Sequence, residues 1–261
     1  MDFDKIKAFL FDLDGTLYLD DKVISGAIET LDFLRRKGKK IVYLTNNSSR
    51  TDDEYYVKLK KLGLFTDGDL VYSSLDAFVD FIKDENPHAK IYPVATQKVK
   101  KYLKGCGINV VSFKNADTLL TTYDKTLTYS KIVNANYLLT KGVKYIATHP
   151  DKVCPALPVS LPDLGSFTQL FKASSGREPD LIVGKPYETM AKYIVKKLNI
   201  SPDEIVMIGD RLYTDIAFGL NVGFNTVLVY SGETDEKLYK NSDVKADFVI
   251  DSVKDIIEIF N

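Results

Sequence analysis

Two carboxylates one residue apart, Asp12 and Asp14, follow directly on the apolar run Phe9-Leu10-Phe11 and lead into Gly15-Thr16. A carboxylate can hold a hard cation, move a proton or attack an electrophile. Three readings are open for the bare Asp-x-Asp-Gly. It suits an acidic turn after a strand. It fails as a calcium loop, because Gly15 arrives too early for the pattern D-x-[DN]-x-[DN]-G. It also suits a nucleophile paired with an acid over Mg²⁺.

Three further apolar runs end in groups of use to phosphate chemistry. Residues 40–44 stop at Thr45-Asn46-Asn47-Ser48-Ser49, a burst of hydroxyls and amides. Residues 180–183 run into Gly184-Lys185-Pro186, and residues 204–208 into Gly209-Asp210-Arg211, with Asp215 close behind. Singly, these are a helix-capping loop, a solvated lysine and a turn. Together they supply carboxylates, neutral donors and a cation, the set that phosphoryl transfer requires.

The elements that must position them follow from periodicity. Apolar runs without alternation suit strands buried on both faces of a parallel sheet. Helices are predicted over residues 25–37, capped by Ser25 and stopped by Gly38, and over 54–62, 97–104, 129–140, 164–173, 187–198, 214–220 and from 253 onward. Strands are predicted at 8–11, 40–44, 70–73, 90–95, 116–121, 143–148, 180–183, 204–208, 225–229 and 248–250. Residues 154–162, with three prolines, read as irregular. The alternation predicts an α/β fold whose parallel strands bring their carboxyl ends to one edge. Residues 17–44 are too few for an extra domain, whereas residues 46–184 are not. The expected division is therefore 1–75 and 180–261 for a core and 76–179 for an inserted domain.

Composition narrows the class. A chain of 261 residues with 45% hydrophobic content buries a substantial core, and a net charge of −1 leaves no electrostatic footprint for nucleic acid or an acidic membrane. Cys106 and Cys154 are the two cysteines, which argues against a disulfide framework, and His88 and His149 are too few for a His-rich zinc site. There is no 18-residue apolar run and no signal-peptide pattern. A soluble, cytoplasmic protein is expected, with no nucleic-acid or membrane partner.

On these motifs the chain resembles the haloacid dehalogenase-like hydrolases. Asp12-Leu13-Asp14-Gly15-Thr16, Thr45-Asn46, Lys185 and Gly209-Asp210-Arg211 with Asp215 are similar to the four motifs of that superfamily. Thr45-Asn46-Asn47-Ser48-Ser49, Ala147-Thr148-His149-Pro150-Asp151 and Gly184-Lys185-Pro186 look like its NagD/4-nitrophenylphosphatase branch. His149 stands where many relatives carry Asn, and Tyr213 where some carry Asp.

The resemblance implies a Rossmann-like parallel-sheet core with an inserted α/β cap of C2 type that selects substrate. It implies a Mg²⁺-dependent phosphatase acting on small phosphate monoesters such as nucleotides, sugar phosphates or 4-nitrophenyl phosphate. Asp12 would be the nucleophile, forming an aspartyl-phosphate, and Asp14 the general acid and base. Mg²⁺ would be held by Asp12, Asp210 and the Asp14 carbonyl, with Asp215 directly or through water. Lys185 would balance charge, and Thr45 and Asn46 would orient the phosphoryl oxygens. Asn47, His149 and Asp151 are the candidates for substrate selection. Relatives often dimerise, so a homodimer is a candidate assembly.

Asp14 separates this chain from dehalogenases, whose halide leaves without a proton. It also separates it from P-type ATPases, which carry Thr at that place; Asp124-Lys125-Thr126 lacks their following Gly. A sugar-phosphate phosphomutase and an inactive phosphometabolite-binding module are the alternatives. The first would carry its cap between the first two motifs, and the second would not need every catalytic position filled.

Overall fold

The structure, a computed structural model, describes residues 3–155 and 158–260. In chain order the main elements are β1 (Ala8–Phe11), α1 (Ala27–Arg36), β2 (Lys40–Thr45), α2 (Asp52–Lys61), β3 (Leu70–Ser73), α3 (Ser74–Glu85), β4 (Ile91–Val94), α4 (Gln97–Gly105), β5 (Thr118–Thr121), α5 (Tyr129–Thr140), β6 (Lys144–Ala147), α6 (Leu164–Ser175), β7 (Leu181–Ile182), α7 (Glu188–Leu198), β8 (Ile205–Gly209), α8 (Ala217–Val222), β9 (Asn225–Val229), α9 (Glu236–Asn241), β10 (Phe248–Ile250) and α10 (Ile256–Phe260). The chain divides into two compact units. The described residues of the first fall within Met1–Thr45, Asp52–Tyr72 and Lys185–Asn261, and those of the second within Asn46–Thr51 and Ser73–Gly184.

A six-stranded sheet of order β10-β9-β8-β1-β2-β3 forms the first core. β1 pairs in parallel with β2 on one side and β8 on the other, with Phe11 opposite Tyr43 and Ile208. All four residues of β1 and all five of β8 are buried, which explains why these strands read as continuous apolar runs. Burying side chains such as Phe9, Leu10 and Phe11 stabilises by roughly 1.5–3 kcal/mol each, so the position where β1 ends is strongly fixed. The chain leaves β1 toward β2 and β3 on one side and returns to β8 on the other. The strand order therefore reverses between β1 and β8, where α/β sheets bind ligands outside their carboxyl ends.

A four-stranded parallel sheet of order β7-β6-β5-β4 forms the second core. Tyr145, Leu119, Leu138, Leu139 and Phe171 pack inside it.

Several elements differ from the sequence expectation. The run at 180–183 is expected to close the core sheet ahead of Lys185. It forms β7, whose Leu181 and Ile182 pair with Ile146 and Ala147 of β6 in the second sheet. Nothing in a short apolar run encodes which sheet receives it. α3 is not anticipated, although its buried Leu75, Phe78, Val79 and Ile82 recur at helical spacing. Its start is also written in a capping box, Ser73 with Asp76. α1 begins after Gly26 rather than at Ser25, with no side-chain cap. Of the irregular stretch 154–162, Cys154 pairs with Leu161, and Ala156 and Leu157 lie outside the described residues. The helix expected at 214–220 is one wide π-type turn, Leu212–Ile216, followed by α8.

Candidate active site

Asp12 directly follows β1, and its N–H still continues the ladder to Ile208 O at 2.9 Å. Its carboxylate oxygen Oδ1 accepts from Lys185 Nζ at 2.6 Å. The same ammonium donates to Asp215 Oδ1 at 2.7 Å and to the carbonyl of Leu44 at 3.1 Å. All three donor positions of Lys185 are thereby directed at the carboxyl ends of β1 and β2 and at the turn after β8. Lys185 is 1% exposed. Burial alone would lower its ammonium, but Asp12 and Asp215 hold it above its ordinary value. It reaches this place although the strand preceding it belongs to the second sheet.

One carboxylate oxygen each from Asp12, Asp210 and Asp215 lie within 4.8 Å of one another. Asp210 and Asp215 are buried. Burial, then the nearby Asp12, push Asp210 up to about 7. Burial pushes Asp215 up to about 6 against the pull of Lys185. More negative charge is gathered here than Lys185 neutralises. Hard oxygen donors at this spacing fit a hard divalent cation such as Mg²⁺.

The surrounding backbone fixes these carboxylates. In the wide turn after β8, Arg211 N donates to Asp215 Oδ2 at 3.2 Å while Asp215 N donates to Arg211 O at 3.0 Å. π-type turns of this kind are frequent at functional sites. Asp210 Oδ2 accepts from Glu233 N at 2.7 Å, Asp210 O from Thr234 N at 3.2 Å, and Asp210 Oδ1 from the Thr16 hydroxyl at 3.4 Å. Ser231 Oγ donates to Gly15 O at 2.7 Å. Gly15 has φ +93°, and a Cβ there would stand 2.4 Å from Asp210 Oδ2. A Cβ on Gly232 would stand 2.1 Å from the same oxygen. Glu233 also meets Arg211 at 2.9 Å and accepts from Tyr213 Oη at 2.5 Å.

Sequence reasoning does not single out the strap of residues 231–234. Its contacts to Asp210 are backbone N–H groups and a missing Cβ, neither of which has a residue signature. A weak signal was the Ser-Gly-Glu-Thr run just past the carboxyl end of β9, a strand next to β8.

Asp14 is exposed in the turn after Asp12 and forms a backbone bridge with Tyr18; its carboxylate is not one of the three gathered oxygens. Thr45 closes β2 and is buried. The other expected residues lie in the second unit. Asn46 Nδ2 donates to Asp151 Oδ2 at 3.1 Å, and the Asn46 carbonyl accepts from Ser74 Oγ at 2.5 Å. Asn47 Oδ1 accepts from the N–H and hydroxyl of Ser49, a local turn. His149 is wholly buried between Asp151 (Nδ1 to Oδ2, 3.5 Å) and Asp163 (Nε2 to Oδ1, 3.6 Å). It is an interior residue of that unit.

Residues 9–109 match the haloacid dehalogenase-like hydrolase family, and residues 182–256 match a HAD-hydrolase-like family. An acid sugar phosphatase of Staphylococcus haemolyticus is 32% identical over 237 residues, covering 91% of this chain and 90% of the relative. A crystal structure of a 4-nitrophenylphosphatase from Thermotoga maritima is 38% identical, covers 98% of each chain and superposes with a TM-score of 0.94. A p-nitrophenyl phosphatase from Archaeoglobus fulgidus is 28% identical over 97% of this chain and 99% of its own, with a TM-score of 0.92. Among the described residues, no helix is long and apolar enough to cross a membrane.

Proposed function

This chain belongs to the haloacid dehalogenase-like hydrolases and is a phosphatase of their NagD/4-nitrophenylphosphatase branch, and from that premise we propose that it hydrolyses small phosphate monoesters with Mg²⁺, through a phosphorylated Asp12. The observation that carries this reading is the single buried ammonium of Lys185 joining Asp12 to Asp215, inside a group of three carboxylates.

One oxygen of Asp12 is held by Lys185, and the other is the attacking atom. It forms a bond to phosphorus as the bond to the leaving alkoxide oxygen breaks. Asp14, exposed and two residues on, gives its proton to that oxygen. It then takes a proton from the water that attacks phosphorus and releases Asp12 and phosphate. The Thr45 hydroxyl and the Asn46 backbone orient the phosphoryl oxygens, and the hydrogen bond from Lys185 keeps Asp12 aimed. The side chains of Asp12, Asp210 and Asp215, with the Asp14 carbonyl, would hold Mg²⁺. Bound there, it would supply the positive charge that lets a carboxylate approach a phosphate dianion.

Substrate choice belongs in this reading to the second unit, where Asn46, Asn47, His149 and Asp151 lie. Since the staphylococcal relative is an acid sugar phosphatase, sugar phosphates are the first class to try. The experiment is a panel of sugar phosphates, nucleotides and 4-nitrophenyl phosphate, each with Mg²⁺ and with chelator. Turnover confined to the Mg²⁺ arm, and lost in Asp14→Asn for alcohol leaving groups, supports the reading. Equal turnover in chelator overturns it.

A further inference from the structure

A cavity of about 470 Å³ opens in the second unit, far along the sequence from every residue assigned above. Its lining includes Lys100, Lys101 and Lys104 with Gln97, Pro93, Val110 and others. Positions 97, 100, 101 and 104 are one face of α4, because residues three and four apart on a helix are neighbours. The rest of the lining includes the apolar Pro93, Val110 and Val111, together with Tyr92 and Ser112. The volume is within the range of small-molecule sites.

The charge in this cavity is unbalanced. Two other lysines of the unit are paired with acids, Lys131 with Asp124 at 2.5 Å and Lys172 with Glu178 at 2.7 Å. Among the described residues, none of Lys100, Lys101 and Lys104 has a carboxylate within 4 Å. Lys100 is partly buried, with its Nζ 5.9 Å from the centre of the Tyr92 ring. Burial, then Lys131, lower its ammonium against the pull of Asp124, and Lys104 adds to the repulsion. Three cations on one helix face repel one another until an anion enters, and the apolar residues in the same lining favour a ligand with an apolar body.

We propose that this cavity binds an organic phosphate of nucleotide size, with its charged groups on Lys100, Lys101 and Lys104 and its apolar part against Pro93, Val110 and Val111. None of the residues that line it belongs to the carboxylate cluster. No bond is made or broken there.

The test uses the full chain and the non-hydrolysable α,β-methylene analogue of ADP. Binding is followed by calorimetry and by hydrogen exchange, in chelator and with Mg²⁺. The expected result is slowed exchange across residues 91–112, in chelator as well as with Mg²⁺. The exposed double variant Lys101→Gln/Lys104→Gln should weaken binding about tenfold, from the loss of two partly screened ion pairs, while leaving 4-nitrophenyl phosphate turnover unchanged. Adenosine alone should not protect the segment, and pyrophosphate should protect it less well than the analogue. Asp12→Asn should bind at the cavity like wild type, so failure of the phosphatase reading leaves this result standing. Protection absent from 91–112, or an unchanged isotherm in the double variant, overturns the proposal.

Discussion

The backbone N–H of Glu233 donates to Asp210 Oδ2 at 2.7 Å, and so ties a strap beyond β9 to a carboxylate beyond β8. Gly232 lies against the same oxygen, with no room for a Cβ. The rotamer of Asp210 therefore depends on a segment that itself carries no catalytic side chain.

Gly232→Ala should push the strap away from Asp210 and weaken the cation site without touching Asp12. Partners of this kind typically change metal affinity about 10- to 100-fold. Half-saturation by Mg²⁺ should rise by that factor in both kinetic and calorimetric titrations, with turnover recovering at high Mg²⁺. Unchanged Mg²⁺ affinity would show that the strap is passive.

Lys185→Met removes the cation that hydrogen-bonds both Asp12 and Asp215. The maximal rate should fall by about 10²–10³, the usual effect of losing one preorganised charge-stabilising donor. Asp215, wholly buried, is then left without its partner, and an uncompensated buried charge is strongly destabilising. The melting temperature in chelator should drop well below that of wild type, and Mg²⁺ should restore more of it than it adds to wild type. A variant with wild-type rate would remove Lys185 from the chemistry.

The metal-free protein should lose stability as pH rises. Asp210 and Asp215 stand at about 7 and about 6 against the ordinary 3.8, so the folded state keeps protons that the unfolded chain has already released. Their contribution is complete below about pH 4 and is lost as pH passes through 6 and 7. Melting in chelator from pH 5 to 8 should show this decline, and Asp210→Asn should flatten it. Stabilisation by Mg²⁺ should grow over the same window, because binding displaces those protons. A melting temperature that climbs with pH in chelator contradicts the site's electrostatics.

The carboxylate part of this site was legible because buried parallel strands read as unbroken apolar runs, and the polar residue that stops each run marks the carboxyl edge of the sheet. That logic located Asp12 after β1, Thr45 in β2 and Asp210 after β8. It misassigned the run before Lys185, since Leu181 and Ile182 are apolar whichever sheet they join. It passed over α3, although Leu75, Phe78, Val79 and Ile82 carry the helical period and Ser73 and Asp76 spell its cap. The contribution of Glu233 was unreadable in principle, because a backbone N–H is present at nearly every position and only the fold decides which one meets Asp210. His149 follows β6 and is a candidate for substrate selection on resemblance alone. Its burial between Asp151 and Asp163 depends on Asp163, the cap of α6, which is distant in sequence.

The central claim is that Asp12 is the nucleophile. Wild type, Asp12→Asn and Asp14→Asn should each be mixed with 4-nitrophenyl phosphate and Mg²⁺, quenched in acid within one turnover, and digested for mass spectrometry. The account predicts one added phosphoryl group on the peptide bearing Asp12 in wild type. It predicts more of that species in Asp14→Asn, which lacks the base for its hydrolysis, and none in Asp12→Asn, which should also lack turnover. Turnover by Asp12→Asn at a rate near wild type, or a phosphoryl group on a peptide without Asp12, would contradict it.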